Sequence, residues 1–438
     1  MKGKFAHPPT LRVRLQRALY SLLWWSALPY LALKLARRTR RAGLRDNGWW
    51  QRLGFVRLPV TGRPRLWVHA VSVGEVQAAV PLVNALKARC PNHDLVLSTT
   101  TATGAAQARR QLGEGVFHCH LPFDLAGAVH RFLARVQPDM LLILETELWP
   151  NLLAACCARG VPAALVNARL SERSLARYRR LPTLAAAMLS DLDIIVAQGP
   201  QDAGRFEALG APRARIHVSG NLKFDLPMPA AMQAQGLALR ARLGPARPVW
   251  IAASTHAGEE EQVLAAHARL RAQLPDALLL LVPRRPERFD EVHALCVAQG
   301  FEVERRSAGL TAPSAAAVFL GDTMGELPAF YAAADVAFVG GSLVPHGGHN
   351  LLEPALLAVP VLSGPHVHNF IEISRLLAAA AGLRTVASVA ELANTLQALL
   401  ADPQARAQQA ARAGAVIEAH RGATDRTLAA LARWLPPA

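Results

Sequence analysis

The chain has 438 residues, which is long for one hydrophobic core and suits two domains of about 200 residues each. Its composition, 52% hydrophobic and 18% charged, excludes a disordered protein. The net charge of +16 lies mainly at the N-terminus: residues 1–45 contain eleven Lys and Arg and no acid, whereas the rest of the chain has 37 basic and 32 acidic residues. No nucleic-acid-binding motif accompanies this charge, so nucleic acid is not an expected partner.

The first element is an apolar segment, residues 18–36 ("ALYSLLWWSALPYLALKLA"), which lies between basic flanks. Its length is close to the roughly 20 residues that span a bilayer, but Pro29 and Lys34 interrupt it. No small-residue cleavage site precedes the arginines that follow, so a membrane-inserted or interfacial anchor over residues 1–45 is favoured over a cleaved signal. A buried N-terminal helix is the alternative. The basic flanks predict contact with anionic lipid head groups. They also predict that the following domain lies on the cytoplasmic side.

From residue 65 onward, short apolar runs alternate with helical stretches, which predicts parallel sheets with helices on both faces. The runs of the first half are "RLWVHAVS", "DLVLSTT", "MLLILETE", "AALVNARLS", "IIVAQG" and "IHVSGN". The Pro- and Ala-rich residues 226–248 break the alternation, and a second series follows: "VWIAAST", "ALLLLVP", "FEVERR", "AAVFLGD", "DVAFVGG" and "PVLSGP". We therefore predict two Rossmann-like, doubly wound α/β domains, residues 46–230 and 231–438, with ligands in a cleft between them.

Charged residues of the first half stand at predicted strand ends and at the start of its first predicted helix. Glu75 in "VSVGEV" begins that helix, where a partly desolvated carboxylate can act as a general base, although a glutamate there can also only complement the helix dipole. Glu145 and Glu147 in "ILETELWPN" stand one residue apart at a strand end, so strand alternation predicts that only one of them points into the same space. Lys223 in "GNLKFD" would face a phosphate, unless it is a solvated junction residue.

In the second half, two motifs offer charged or small residues next to a predicted strand end or helix start. Arg284 and Arg285 in "LVPRRPERF" follow a strand and suit bidentate contacts with a phosphate. Gly325 and Glu326 in "GDTMGELPAFYAAAD" stand at a helix start. These positions predict a phosphate-containing ligand for the second domain.

The glycine-rich stretch "GGSLVPHGGHNLLEP", residues 340–354, follows a strand and precedes a helix predicted to begin near Asn350. Asn350 and Glu353 fit a capping-box-like N-x-x-E, and free N–H groups at the same helix start would receive a phosphate. His346, His349 and Glu353 have spacings that a metal site could use, but no third histidine or cysteine stands nearby in the sequence. The stretch therefore predicts a nucleotide cradle rather than a metal site.

The motifs of both halves resemble those of the Kdo transferase family, which attaches 3-deoxy-D-manno-oct-2-ulosonic acid (Kdo) to lipid A. The resemblance covers residues 46–370 in family order: "VSVGEV", "TTTATGAAQAR", "ETELWPN", "NARLSERS", "GNLKFD", "ASTHAGEEE", "LVPRRPERF", "MGELPAFYAAAD", "GGSLVPHGGHNLLEP" and "GPHVHNF". The N-terminal segment is similar to the family's membrane attachment in character rather than in letters. His346 stands where the family pattern does not demand histidine, whereas "GGHN" belongs to that pattern.

This resemblance implies a GT-B glycosyltransferase with an N-terminal acceptor domain and a C-terminal domain that binds the donor CMP-Kdo. It implies that Glu75 is the general base and that Glu145 and Lys223 assist the transition state. The implied CMP contacts are Pro283, Arg284, Met324, Gly325, Glu326, Asn350, Leu351, Leu352 and Glu353.

The activity implied by the resemblance is an inverting transfer of Kdo to a lipid A precursor, lipid IVA, in lipopolysaccharide inner-core synthesis at the inner membrane. Glu75 would deprotonate a glucosamine hydroxyl, and Lys223, Arg284 and the helix start at Asn350 would meet the charge on the departing CMP without a metal ion or other cofactor. The alternatives are another GT-B enzyme, such as a sugar-nucleotide epimerase or a UDP-sugar transferase, and a non-catalytic basic membrane-associated protein.

Overall fold

The computed structural model describes residues 10–41, 48–113, 115–227, 230–309 and 316–436. The chain forms two compact units, the first from Met1–Leu226 together with Arg421–Ala438 and the second from Pro227–His420.

The first unit is built on a seven-stranded parallel sheet with the strand order β3-β2-β1-β4-β5-β6-β7. Its strands are β1 (Arg65–His69), β2 (Asp94–Thr99), β3 (Val116–His120), β4 (Met140–Leu144), β5 (Ala163–Ala168), β6 (Ile194–Ala197) and β7 (Ile216–Val218). The central strands are buried along their whole length because helices cover both faces of the sheet, which explains their continuous apolar runs.

Helices connect these strands and form the two outer layers. They are α1 (Leu11–Arg41), α2 (Trp49–Arg52), α3 (Val73–Arg89), α4 (Ala102–Leu112), α5 (Ala126–Val136), α6 (Pro150–Ala158), α7 (Glu172–Tyr178), α8 (Pro182–Asp191) and α9 (Pro200–Ala208). A 3₁₀ helix, Leu222–Asp225, follows β7, and we call it the Lys223 turn. Apolar clusters on the two sides of the sheet form the core of this unit.

The second unit repeats the plan, with the parallel strand order β10-β11-β9-β8-β12-β13-β14. Its strands are β8 (Val249–Thr255), β9 (Leu278–Pro283), β10 (Val303–Arg305), β11 (Val318–Leu320), β12 (Val336–Val339), β13 (Val361–Ser363) and β14 (Leu383–Thr385). Its helices are α10 (Ala230–Leu243), α11 (Glu260–Arg271), α12 (Phe289–Ala298), α13 (Leu327–Ala332), α14 (Leu352–Leu356), α15 (Ile371–Ala379), α16 (Val389–Ala401) and α17 (Pro403–His420).

The twelve predicted strands are confirmed, whereas two strands were missed. Both missed strands, β3 and β14, lie at a sheet edge. Most of β3 is only half-buried, and β14 has three residues of which two are exposed. Such strands lack the long apolar run that identifies a buried strand in a sequence.

The C-terminal boundary predicted for the second domain is wrong. Residues 231–438 were expected to form one domain, but the chain returns to the first unit at Arg421. The returning segment forms α18 (Ala423–Ala430), and Leu428, Leu431 and Leu435 join an apolar cluster on the first sheet. Burial of these side chains explains why the segment belongs to the first unit.

The N-terminal segment forms one long helix, α1, which continues through Pro29. One face packs on the first unit: Arg17 forms a 2.7 Å ion pair with Asp191, and the Trp24 ring lies against Phe123 and Trp149. In the described part of the chain, no helix combines the length and the apolar character that crossing a membrane requires. The remaining parts of the predicted anchor, residues 1–9 and 42–45, lie outside the described residues.

Candidate functional site

The central strands β1 and β4 of the first unit create a crevice at their carboxyl ends. They are neighbours in the sheet, but the chain continues from β1 toward β2 and from β4 toward β5, on opposite sides. Such a reversal of strand order is the usual ligand site of a doubly wound sheet. Glu75 follows β1 and Glu145 follows β4, so the fold brings these predicted site residues to the same place.

Glu75 is held in the first turn of α3. Its carboxylate accepts a hydrogen bond from the Val71 N–H at 2.7 Å and another from the Ser72 hydroxyl at 3.2 Å. Burial, together with the negative charges of Glu145 and Glu147, raises the pKa of Glu75 to about 8. A carboxylate with such a pKa is a stronger base than an exposed glutamate, and the two hydrogen bonds fix its orientation.

The prediction that only one of the Glu145 and Glu147 carboxylates can point into the site is wrong. The strand β4 ends at Leu144, and Glu145 adopts a left-handed conformation with φ 58°. Residues two positions apart would also share a face in a regular strand, because strand alternation has a period of two, and both carboxylates are close enough to Glu75 to raise its pKa. Burial also raises the pKa of Glu147 to about 7. The sequence motif contained Glu147, but its electrostatic role became visible only from the fold.

Lys223 meets Glu145 across 78 positions of sequence. The ammonium Nζ lies 3.3 Å from Glu145 Oε1, and the two side chains are only 15% and 21% exposed. The lysine is therefore not a solvated junction residue. The crevice combines three carboxylates with one ammonium group, which allows proton removal at Glu75 next to a fixed positive charge.

The second unit has the equivalent reversal of strand order between β8 and β12, and a glutamate that follows β8 bonds there to the loop that follows β12. Glu259 is fully buried, and its carboxylate accepts hydrogen bonds from the backbone N–H groups of Gly341 at 2.7 Å, Ser342 at 3.0 Å and Leu343 at 2.9 Å. A Cβ atom at Gly340 would lie 2.7 Å from Glu259 Oε2, which explains a glycine there. These three N–H groups therefore bind an internal carboxylate, so this part of the predicted nucleotide cradle does not offer its N–H groups to a phosphate.

Glu259 was not among the residues predicted for the site. It stands in "ASTHAGEEE", a motif that contributed to the family resemblance but to none of the predicted site residues. Its position between a central strand and a helix is only a weak sequence signal of this role, since the N–H groups that it binds lie more than 80 positions away.

The residues from Asn350 to Glu353 form hydrogen bonds with one another. The Asn350 Oδ1 atom accepts the Leu352 N–H at 3.1 Å, and Nδ2 donates to Glu353 Oε1 at 3.2 Å. The helix α14 begins at Leu352, two positions later than predicted, and Leu351 and Leu352 are buried. Burial raises the pKa of Glu353, while the Asn350 hydrogen bond and the Arg284 charge act in the opposite direction.

The other predicted nucleotide contacts lie on β9 and before α13. Pro283 ends β9, and the Arg284 N–H donates to the Thr255 carbonyl at 3.0 Å. Met324 is exposed, and Gly325 has φ 93°. Glu326 forms an ion pair with Arg306 at 2.7 Å. Arg284 and Asn350 thus both act on the Glu353 carboxyl group, whereas Glu326 pairs with Arg306.

Three histidines stack beside the glycine-rich loop. The His256 ring lies 4.1 Å from the His346 ring and 5.1 Å from the His349 ring, and the Nε2 atoms of His256 and His349 are 2.9 Å apart. Burial lowers the pKa of His256 to about 4 and that of His349 to about 3, so both rings are neutral at pH 7. Within the described ranges, no three His, Cys, Asp or Glu side chains are grouped so that they could hold a metal ion.

Comparison with known proteins agrees with the motifs. A family model described as 3-deoxy-D-manno-octulosonic-acid transferase (kdotransferase) matches residues 47–226. The 3-deoxy-D-manno-octulosonic acid transferase of Haemophilus influenzae is 42% identical over 371 residues, covering 84% of this chain and 87% of the relative. The protein of the same name from Bordetella pertussis is 43% identical over 436 residues, covering 96% of this chain and 99% of the relative.

The fold is also found in a solved structure with a different name. UDP-GlcNAc 2-epimerase from Neisseria meningitidis, bound to UDP-GlcNAc, matches with a TM-score of 0.57 and 14% identity, covering 84% of this chain and all of that one. At this identity the likeness concerns the fold alone. The sequence relatives confirm the resemblance stated from the motifs: the chain belongs to the 3-deoxy-D-manno-octulosonic acid transferase family.

Proposed function

We propose that this GT-B protein transfers Kdo from CMP-Kdo to a lipid A precursor with inversion at the anomeric carbon, in lipopolysaccharide inner-core synthesis. The observation that carries the proposal is the Glu75 carboxyl group, which two hydrogen bonds orient and whose pKa burial raises to about 8. The names of the two relatives, with 42% and 43% identity, support Kdo as the transferred sugar.

In the proposed reaction, the Glu75 carboxylate removes the proton of a glucosamine hydroxyl on the acceptor. The oxygen attacks the anomeric carbon of Kdo on the side opposite to CMP and forms the new C–O bond. The bond between that carbon and the CMP phosphate oxygen breaks, and CMP leaves with the electron pair. The proton remains on Glu75 until it passes to water, which is easy for a carboxyl group that titrates near neutral pH.

The positive charges for this step come from side chains. Lys223, held 3.3 Å from Glu145, stabilises negative charge in the transition state. We assign CMP binding to the second unit, through Pro283, Arg284, Met324 to Glu326, and Asn350 to Glu353. Because the lysine and the arginine already supply positive charge, the proposed reaction requires no metal ion or other cofactor.

The proposed membrane contact is the free face of α1. Apolar side chains recur there at intervals of three or four residues, apart from one interval of eight between Leu22 and Tyr30, and are at least half exposed: Leu11, Leu15, Leu19, Leu22, Tyr30 and Leu33. This spacing places them on one face of the helix, opposite the face that carries Arg17 and Trp24. With Arg12 and Arg14 also exposed, α1 suits the interface of an anionic bilayer, and we place it at the cytoplasmic face of the inner membrane.

The proposal is tested by incubating the full chain with CMP-Kdo and lipid IVA and weighing the product by mass spectrometry. We expect mass increments of Kdo, unchanged by a chelator, and no transfer from UDP-sugars. Glu75→Gln should lower the rate by about 10²- to 10⁴-fold. Full activity of Glu75→Gln would refute the base assignment, and loss with chelator that Mg²⁺ restores would refute metal independence.

We do not expect unfolding to cause the lower transfer rate of Glu75→Gln. Burial raises the pKa of Glu75 above its unfolded value, so the stabilising effect of its bound proton is complete below about pH 4.5 and is lost as pH rises through about 8. Above pH 8 the neutral glutamine should therefore be at least as stable as the ionised glutamate. A thermal melt of both proteins at pH 9 checks this control.

A further inference from the structure

Three buried amide side chains lie at the carboxyl ends of β5, β6 and β7, next to the crevice of the first unit. Asn167 is completely buried, Gln198 is 4% exposed and Asn221 is 6% exposed. We call these three side chains the amide network. None of them is among the residues assigned above to the base, the ion pair or nucleotide binding.

The members of the amide network are joined by hydrogen bonds. Gln198 Nε2 donates to the Asn167 backbone carbonyl at 3.0 Å, and Gln198 Oε1 accepts from Asn221 Nδ2 at 3.1 Å. Gln198 therefore connects the two asparagines and uses both ends of its side-chain amide. Buried amides need such partners, because an unsatisfied polar group is costly away from water.

The two asparagines hold the backbone of the Lys223 turn. Asn167 Oδ1 accepts the Leu222 N–H at 3.0 Å, and Asn221 Oδ1 accepts the Lys223 N–H at 3.1 Å. The first two N–H groups of the turn are thus both fixed by the amide network. The direction in which the Lys223 side chain leaves the backbone depends on these two bonds.

The amide network is also connected to the other partner of the ion pair. The Glu145 N–H donates to the Val166 carbonyl at 3.1 Å, and Val166 directly precedes Asn167. Glu145 and Asn167 both adopt left-handed conformations, with φ 58° and 51°. Such conformations are unfavourable for most residues and persist only where their surroundings hold them.

We propose that Asn167, Gln198 and Asn221 are positioning residues for the Lys223 ammonium group in the transfer reaction. They fix the Lys223 turn relative to Glu145, so that the ammonium is in place before the substrates arrive. This inference rests on the proposed role of Lys223 in catalysis. Pre-organised charge is effective because it needs no rearrangement at the moment of reaction.

A double-mutant cycle with Lys223 tests the proposal. Gln198→Met keeps the side-chain length and removes both hydrogen bonds, and we expect kcat to fall by about tenfold to a hundredfold. In the Lys223→Met background, the same change should alter kcat less than about twofold, because the group being positioned is absent. An equal loss in both backgrounds would show a merely structural role.

The matched control is Ser171→Ala. Ser171 caps α7 through a 3.1 Å bond from the Ser174 N–H and belongs to the same unit, and its side-chain hydrogen bonds are to Ser174 rather than to the amide network. Its loss should lower the melting temperature but leave kcat unchanged. If Gln198→Met does not fold, Asn221→Ser replaces it in the cycle. This change removes the hydrogen bond to Gln198, while the serine hydroxyl can still accept a backbone N–H bond.

A second readout needs no substrate. The chain has five lysines, so ¹³C-methylated lysine NMR gives few signals, and Lys223→Arg identifies that of Lys223. We expect a distinct Lys223 signal that Gln198→Met moves toward those of exposed lysines. An unmoved signal would overturn the positioning role. A moved signal in a protein that transfers no Kdo would instead retain the positioning and reject the proposed function.

Discussion

At the scale of single residues, the site of the first unit depends on unequal charge. Three carboxylates share the crevice with one lysine, and the lysine pairs with Glu145. The Glu75 carboxyl group is therefore left in an environment that disfavours its ionised form. Burial is the largest cause of its raised pKa, and the negative charges of Glu145 and Glu147 add to it. Catalytic bases need a pKa near the working pH, and this arrangement supplies one.

Replacing Glu147 should change the pH dependence of the reaction. A general base acts in its ionised form, so we expect kcat/KM of the wild type to rise with pH and level off above about 8. Glu147→Gln removes a negative charge near Glu75, which should move the midpoint of this rise to lower pH. Kinetics between pH 5 and 10 measure the midpoint.

The control for this experiment is Glu207→Gln, which neutralises an exposed carboxylate on α9 that lies 3.9 Å from the Arg213 guanidinium. It should leave the midpoint unchanged. A midpoint of Glu147→Gln that stays in place, or that rises, would contradict the electrostatic role of Glu147.

At the scale of elements, α1 is a helix with two different apolar faces. Trp24 and its neighbours pack on the first unit, while Leu15, Leu19 and Leu22 are exposed. A single helix that is apolar on both faces usually has a partner for each. The first unit covers one face, and a lipid surface is the partner we propose for the other.

Charged substitutions on the exposed face of α1 should weaken lipid binding. We expect Leu15→Glu and Leu22→Glu each to lower the partition into anionic vesicles by about tenfold or more, because each removes a leucine that would enter the bilayer and adds a negative charge that anionic lipids repel. Sedimentation with phosphatidylglycerol vesicles measures this. Leu237→Glu, at an exposed leucine of α10, is the matched control. Equal binding of all three variants and the wild type would refute α1 as the lipid contact.

At the scale of the whole molecule, the chain crosses between its units twice. It leaves the first unit after Leu226 and returns at Arg421. On its return, the Gly422 and Thr424 N–H groups donate to the Asp225 carboxylate at 2.8 and 2.6 Å. Asp225 lies in the Lys223 turn, so the C-terminal segment also stabilises the element that carries Lys223.

Deletion of residues 421–438 should therefore affect the first unit and spare the second. It exposes apolar surface on α3 and removes Leu428, Leu431 and Leu435 from the core, each worth about 1.5–3 kcal/mol. Hydrogen exchange should show lost protection in α3 and the Lys223 turn, with α11 and β8 unchanged. A chain that ends at Pro436 is the control. Lost protection in the second unit alone would contradict the division at Arg421.

Much of the fold was predictable because buried parallel strands have a strong local pattern. Continuous apolar runs located β1, β4, β8 and β12, and charged residues near the ends of β1 and β4 were correctly expected to follow those strands. The edge strands β3 and β14 were missed because their residues are partly exposed. The positive φ angles of Glu145 and Asn167 leave no clear local signal, since neither residue is glycine.

The order of residues was enough to establish two parallel α/β units, the family and the positions of Glu75, Glu145 and Lys223. Local hydrophobic periods and short motifs carry that information. The pKa of Glu75, the pairing of Lys223 with Glu145, the Glu259 carboxylate in the glycine loop and the return of α18 came only from the folded chain. Each depends on burial or on contacts between residues far apart in sequence, and neither is encoded in a local pattern.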